Sequence, residues 1–194
     1  MIRTLPADFY ARDVLAVAPA LLGTRLVRRL DGVEIAGIIS EVEAYRGEED
    51  LACHARAGRT PRTAVMYGPP GRAYVYFTYG MHWMLNAVCM EPGYPAAVLI
   101  RAIRPVNGLE MVAERRAGVP AAHWTDGPAR LCRALGIDRA FNGCDLPDPA
   151  GGLWIEPYQS VPAKQIQATP RIGIGNVPEP WKSLPWRFTC VENC

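Results

Sequence analysis

The chain has 194 residues, 49% of them apolar and 21% charged, a composition that excludes a disordered or fibrous protein. With 21 Lys+Arg against 19 Asp+Glu the net charge is only +2, which excludes a histone-like polycation. The length predicts one domain over residues 1–194 with a sizeable core. No apolar run approaches the ~20 residues of a membrane-spanning helix, and the N-terminus lacks the apolar stretch of a signal peptide. The expectation is an intracellular protein with no membrane partner: cytoplasmic if bacterial, nuclear if eukaryotic. The total charge hides an asymmetry. Lys164 and Lys182 are the only lysines. From Leu51 to Met90 there is no acidic residue, while Arg56, Arg59, Arg62 and Arg72 all fall inside that stretch.

In chain order, Asp13 to Leu22 has helical spacing and Gly23 as a stop, but Pro19 makes the helix short or kinked. Thr24 to Leu30 reads as a strand, Asp31-Gly32 as a hairpin turn, and Val33 to Tyr45 as a long return strand. Arg46 to Gly71 is loop-like, and a loop that long is functional or hides a helix. Arg72 to Thr78 is an aromatic strand, Tyr79-Gly80 a tight turn, and Met81 to Cys89 the partner strand. Ala96 to Ile103 is a further apolar strand. Leu109 to Ala117 and Pro128 to Leu135 read as helices closed by Gly118 and Gly136. Leu153 to Ile155 and Trp186 to Thr189 are short strands among prolines. Early antiparallel hairpins with helices around them predict an α+β fold.

Several chemistries lose their support. The six cysteines form no C-x-x-C pair, and His54, His82 and His123 are scattered. Cys190 and Cys194 are spaced to meet across a helical turn, but idle thiols are commoner than a metal site there. There is no phosphate loop, dinucleotide fingerprint or nucleophile elbow. No metal and no cofactor are expected.

Polar residues inside apolar strands carry more information. The odd positions from Val33 read Val33, Ile35, Gly37, Ile39, Glu41, Glu43 and Tyr45, an apolar stripe that ends in two carboxylates. Either the strand emerges into solvent there, or a partly buried Glu is held as a general base. Arg101 inside Ala97–Ile103 needs a carboxylate or a phosphate; a structural ion pair would serve equally. Asn86 is a pocket amide or an edge-strand amide bonded to backbone. Tyr74 and Tyr76 share a strand face, as core residues or as a base platform. Tyr79 sits at a hairpin tip, badly placed to bury in its own sheet, and suits a wedge between stacked bases. Together these features point to nucleic acid and a water-activating carboxylate.

At these residues a family resemblance enters. Ser40-Glu41-Val42-Glu43-Ala44-Tyr45, Glu49-Asp50-Leu51-Ala52-Cys53-His54, Thr60-Pro61-Arg62 and Pro70-Gly71-Arg72-Ala73-Tyr74-Val75-Tyr76-Phe77-Thr78-Tyr79-Gly80-Met81 resemble the alkyladenine (methylpurine) DNA glycosylase family. So do Asn86, Leu99-Ile100-Arg101-Ala102, Gly127-Pro128-Ala129-Arg130-Leu131-Cys132 and Arg171-Ile172-Gly173-Ile174-Gly175. The likeness spans roughly residues 8–190. It implies a single mixed α+β domain around a curved antiparallel sheet, a DNA-intercalating hairpin and no metal. It implies Glu43 as general base on a water, with Arg101 placing that water and the nucleotide. It implies Tyr45, His54 and Tyr76 around an extruded base, Asn86 discriminating at the purine edge, and Tyr79 filling the gap in the duplex. Glu41 falls outside the catalytic position and reads as a neighbour that keeps the Glu43 pKa up.

Arg56, Arg59, Arg62 and Arg72 are candidates for phosphate contacts on double-stranded DNA carrying damaged purines. The two late lysines offer no amine nucleophile in the motif, so the expectation is a monofunctional glycosylase acting as a monomer. Two rivals stand beside it: an inactive nucleic-acid-binding module on the same fold, and a metal-dependent nuclease using Glu41, Glu43, Asp50 and His54. The chain departs from the family at Pro19 and in its last segment, Cys190-Val191-Glu192-Asn193-Cys194.

Overall fold

The structure is a computed structural model that describes residues 2–191. It is α+β, as the early hairpins predict. The strands are β1 (Arg25–Leu30), β2 (Val33–Arg46), β3 (Ala73–Thr78), β4 (His82–Val88), β5 (Ala96–Asn107), β6 (Leu153–Glu156), β7 (Ile166–Thr169) and β8 (Arg187–Cys190). They form one antiparallel sheet in the order β3-β4-β5-β2-β1-β6, with β8 pairing both β2 and β7.

β2 is the spine. Its first half pairs with β1, its second half with β8, and β5 runs along nearly all of it. The uniform stripe expected from Val33 to Tyr45 is broken. Ser40 is an extra residue on β2, and Arg101 is an extra residue on β5 one step further on. Paired bulges of this kind re-aim side chains. Ile35 and Ile39 point into the main core, and so do Val42 and Ala44, two residues of the opposite parity. The same switch occurs on β5 between Ile100 and Ile103. Past the bulge, Glu43 and Tyr45 therefore face away from the main core.

The helices α1 (Ala7–Tyr10), α2 (Val14–Leu21), α3 (Leu109–Arg115) and α4 (Pro128–Leu135) all send buried residues into the main core. Val14, Val17 and Leu21 share that core with Leu85, Val98 and Ile100 of the sheet and with Leu131 and Leu135 of α4. Each such side chain contributes about 1.5–3 kcal/mol by leaving water. The Asp13 side chain caps α2 through the Leu15 N–H. Pro19 sits in the second turn of α2 and the helix is short, as expected. Gly136 takes a left-handed φ of 64° and closes α4. α1 escaped the sequence reading because one turn has too few residues to show a period.

The other sheet face is covered by the stretch read as a loop. It holds two 3₁₀ turns, His54–Ala57 and Ala64–Tyr67. Their Cys53, Ala55 and Met66 form a second small core with Tyr74, Val88 and Ala97. One face of the sheet thus carries helices, and the other carries irregular chain that leaves room for a cavity. Among the described residues no helix is long and apolar enough to cross a membrane.

Candidate active site

The cavity lies on that second face and encloses about 630 Å³. Tyr45 of β2, Tyr74 and Tyr76 of β3, Asn86 of β4, and Leu99 and Arg101 of β5 supply its sheet wall. His54, Arg62 and Met66 come from the covering loop, Pro128 from the start of α4, and Ile172–Ile174 from a late irregular segment. Alternation places Tyr74, Tyr76, Asn86, Leu99 and Arg101 on one face, because successive strand residues point to opposite sides.

Glu43 is fully buried directly behind this wall. Its Oε1 accepts from the Ile172 backbone N–H at 2.7 Å and faces Arg101 Nη1 at 3.2 Å. Its Oε2 accepts from the Tyr45 hydroxyl at 2.8 Å. Burial raises the Glu43 pKa; Arg101, the Ile172 N–H and the Tyr45 hydroxyl oppose that rise. Glu41 also pushes it up, as expected, but as the weakest of these influences. Glu41 has a task of its own. Its Oε1 accepts from Arg101 Nε at 2.7 Å and from Arg187 Nε at 2.6 Å, so one carboxylate anchors two guanidiniums. Arg101 is therefore in an ion pair and on the cavity wall at once; the two readings of this residue coexist.

Asn86 lies inside the sheet between β3 and β5, not on an edge, and donates to the Tyr74 carbonyl at 3.0 Å. His54 Nδ1 lies 3.1 Å from the Tyr74 hydroxyl, and its ring stands edge-on to Tyr76 at 4.5 Å and 76°. Burial and then the nearby Arg62 and Arg56 push the His54 pKa down to about 4, so the ring is neutral at neutral pH. Tyr79 projects from the β3–β4 turn, 79% exposed, with a φ of 52° beside Gly80 at 67°. A bulky residue held at positive φ is strained backbone, of the kind found at functional sites. Met81 and Phe77 stand exposed on the same hairpin.

The four arginines separate. Arg56 donates to the Leu51 carbonyl at the cavity rim, and Arg59 lies over the Tyr67 ring at 5.9 Å. Arg62 packs over the Tyr76 ring at 5.1 Å and lines the cavity. Arg72 is tied to Asp145 and to the Gly143 carbonyl at the base of β3, away from the others.

Asp50 and Arg171 were missed as a pair. Both side chains are fully buried, joined by Nη1–Oδ2 at 2.5 Å and Nη2–Oδ1 at 2.8 Å. Asp50 also accepts from the Arg46 and Ala52 N–H groups. Its lone pairs are spoken for, which removes it from the metal set of the nuclease reading. Among the described residues no group of three or more His, Cys, Asp or Glu could hold a metal ion. Cys190 lies on β8 rather than a helical turn, and Cys194 lies outside the described residues.

Aromatic walls suit a flat ring, and a buried acid–guanidinium pair lies behind them. That combination fits an N-glycosyl hydrolase. Comparison with known proteins makes the class specific: the model of the methylpurine-DNA glycosylase family matches residues 8–194, and the chain belongs to that family. It is 47% identical over 191 residues to a protein of Carboxydothermus hydrogenoformans named "Putative 3-methyladenine DNA glycosylase", covering 97% of this chain and 96% of that one. Proteins of the same name from Methanocella arvoryzae and Myxococcus xanthus are each 48% identical, over 95% of this chain and 90% and 88% of theirs. Membership makes the chain an enzyme of DNA-glycosylase type and DNA its substrate.

Proposed function

We propose that this enzyme is a monofunctional glycosylase that flips alkylated or deaminated purines out of duplex DNA, hydrolyses their N-glycosidic bond and leaves an abasic site. The observation that carries the reading is the buried Glu43 behind a wall of Tyr45, Arg101 and Ile172. A carboxylate has about four lone-pair positions. Three are engaged by those neighbours, which leaves one, on Oε2, for a water proton. That water loses its proton to Glu43 and bonds to C1′. The C1′–N bond breaks and its electron pair leaves with the base. Arg101 holds the acid ionised and faces the sugar side of the cavity; the carboxylate also offsets the positive charge that builds on the sugar.

Tyr45, His54 and Tyr76 would hold the extruded base, with Asn86 at its edge. With Nδ1 taken up by the Tyr74 hydroxyl, the other nitrogen of a neutral His54 can accept or donate there according to the tautomer, whereas a charged ring can only donate. Tyr79 would fill the gap and slow the return of the base. Arg56 and Arg62 line the cavity and Arg59 lies in the same covering loop, and all three suit phosphates; Arg72, paired with Asp145, suits them least. Neither Lys164 nor Lys182 lines the cavity, in keeping with no amine nucleophile and no strand cleavage. The enzyme would act as a monomer in the cytoplasm of a bacterium, or in the nucleus of a eukaryote.

The test is a single-turnover base-release assay on duplexes carrying 3-methyladenine, 7-methylguanine, hypoxanthine or ethenoadenine, with EDTA present. Wild type should release at least one of these bases without cutting the strand, and Glu43→Gln should not. Equal slow release by both proteins would support the inactive binding module. Chelator-sensitive strand cleavage would support the nuclease.

A further inference from the structure

Two of the three partners of Glu43 lead to the same guanidinium. Ile172, whose N–H donates to Glu43, is the residue after Arg171. Tyr45, whose hydroxyl donates to Glu43, lies with its ring against the Arg171 guanidinium at 4.8 Å. The Trp186 ring also lies against that guanidinium, at 5.0 Å. Arg171 also donates to the Ala44 carbonyl at 3.0 Å, between Glu43 and Tyr45 on β2. What fixes Arg171 is the two-pronged pair with Asp50, 121 residues earlier in the chain.

We infer that Asp50 and Arg171 are positioning residues of the hydrolytic step: their buried pair clamps the 171–174 segment and the Tyr45 ring against Glu43, so that a buried carboxylate stays ionised and aimed. The inference rests on Glu43 acting as the base. The segment has no helix or strand of its own to hold it, since Arg171 follows β7 and precedes an irregular, proline-containing stretch. A hydrogen bond from backbone to an ionised carboxylate holds only as well as the backbone that carries it. The pair is stronger than a surface bridge for the same reason that it costs more to break: neither ion has water to fall back on.

Asp50→Asn gives a test in which a sign decides. The groups that face Glu43 are Tyr45 and Glu41 from β2, Arg101 from β5, Ile172 from the late segment and Tyr76 from β3, with Arg187 of β8 opposite it in register and bonded to Glu41. Without a positioning role, Asp50→Asn removes an anion and uncovers the Arg171 cation nearby. Both changes favour ionised Glu43 and move the acid limb of the excision profile to lower pH. With the clamp opened, Glu43 loses the Ile172 N–H, its pKa rises, and the acid limb moves to higher pH. The expected result is an upward move, read as a three- to tenfold rise in the ratio of rates between about pH 8.5 and about pH 5.5. Faster hydrogen exchange at the Ile172 amide should accompany it.

An unmoved or lowered acid limb with a still-protected Ile172 amide overturns the inference. Should Asp50→Asn fail to fold, Arg171→Lys keeps the charge but loses the two-pronged grip, and it must show the same upward move or the inference falls. Glu43→Gln in the same assay separates the two levels. If it excises as wild type does, the reading of Glu43 as base is lost. If it is inactive while both clamp variants keep the wild-type profile, only the clamp is lost.

Discussion

The floor of the cavity and the tip of the β3–β4 hairpin invert the usual distribution of residues. At the floor, charged groups that prefer water are fully buried: Glu43, Asp50 and the Arg171 side chain. At the tip, large apolar groups that prefer burial stand in water: Tyr79, Met81 and Phe77. Each departure costs stability, and each is paired with a different kind of compensation. The floor is offset within the protein, by ion pairs and hydrogen bonds to each charged group. At the tip only Phe77 is offset within the protein, by its contact with the Trp83 ring at 4.7 Å; the compensation proposed for Tyr79 and Met81 comes from outside it, from the base stack of DNA. Floor variants should therefore change chemistry and stability together, whereas tip variants should change binding alone.

The largest expected effect falls on the floor. Glu43→Gln should slow single-turnover base release by about 10²–10⁴-fold, the span of a lost general base. Next, Asp50→Ala should destabilise the protein by about 3–5 kcal/mol in denaturant unfolding, because the buried Arg171 guanidinium is left without its counter-ion. Tyr79→Ala should leave unfolding within about 0.5 kcal/mol of wild type while weakening lesion-duplex affinity about tenfold, the worth of one stacked ring. A Tyr79→Ala protein with unchanged affinity and unchanged excision would erase the contrast between tip and floor. The smallest effect concerns His54. Its folded pKa is lowered to about 4 from the ordinary 6.5. Its contribution to stability is thus full above about pH 6.5 and is lost as pH falls toward about 4, where the unfolded chain takes up a proton that the folded ring refuses. His54→Gln should flatten that part of a plot of unfolding midpoint against pH.

How much of this was legible in the sequence depends on distance along the chain. The hairpin tip was legible because its signal is local: an aromatic strand, a Tyr-Gly turn and a return strand lie within a dozen or so residues. Glu43 and Arg101 stood out because a charge in an apolar strand is conspicuous whatever it pairs with. The clamp could not be read, since Asp50 and Arg171 announce themselves only to each other, across 121 residues. Arg171 belongs to the family likeness without a task of its own, and Asp50 reads in the sequence as a metal ligand. β7 was missed as well. Its four residues have little apolar pattern, and it exists because β8 pairs with it. The bulges were invisible for a different reason: a period of two can be counted from residue types, but an inserted residue looks like any other residue in the run.

That inserted residue sets which changes of length the spine can absorb. Regular pleating over the full run of β2 would seat the Glu43 carboxylate among Ile35, Ile39 and the α2 side chains, and would turn Val42 and Ala44 toward the cavity. Ser40 is the one place where β2 can lose a residue and keep its facing, since deleting it returns the strand to plain alternation with Glu43 still on the cavity side. Removing Val42 instead would exchange inside for outside at every residue from Glu43 to Arg46. Length variation among relatives in this strand should therefore be confined to the single step between Ile39 and Glu41, however freely the individual residues change.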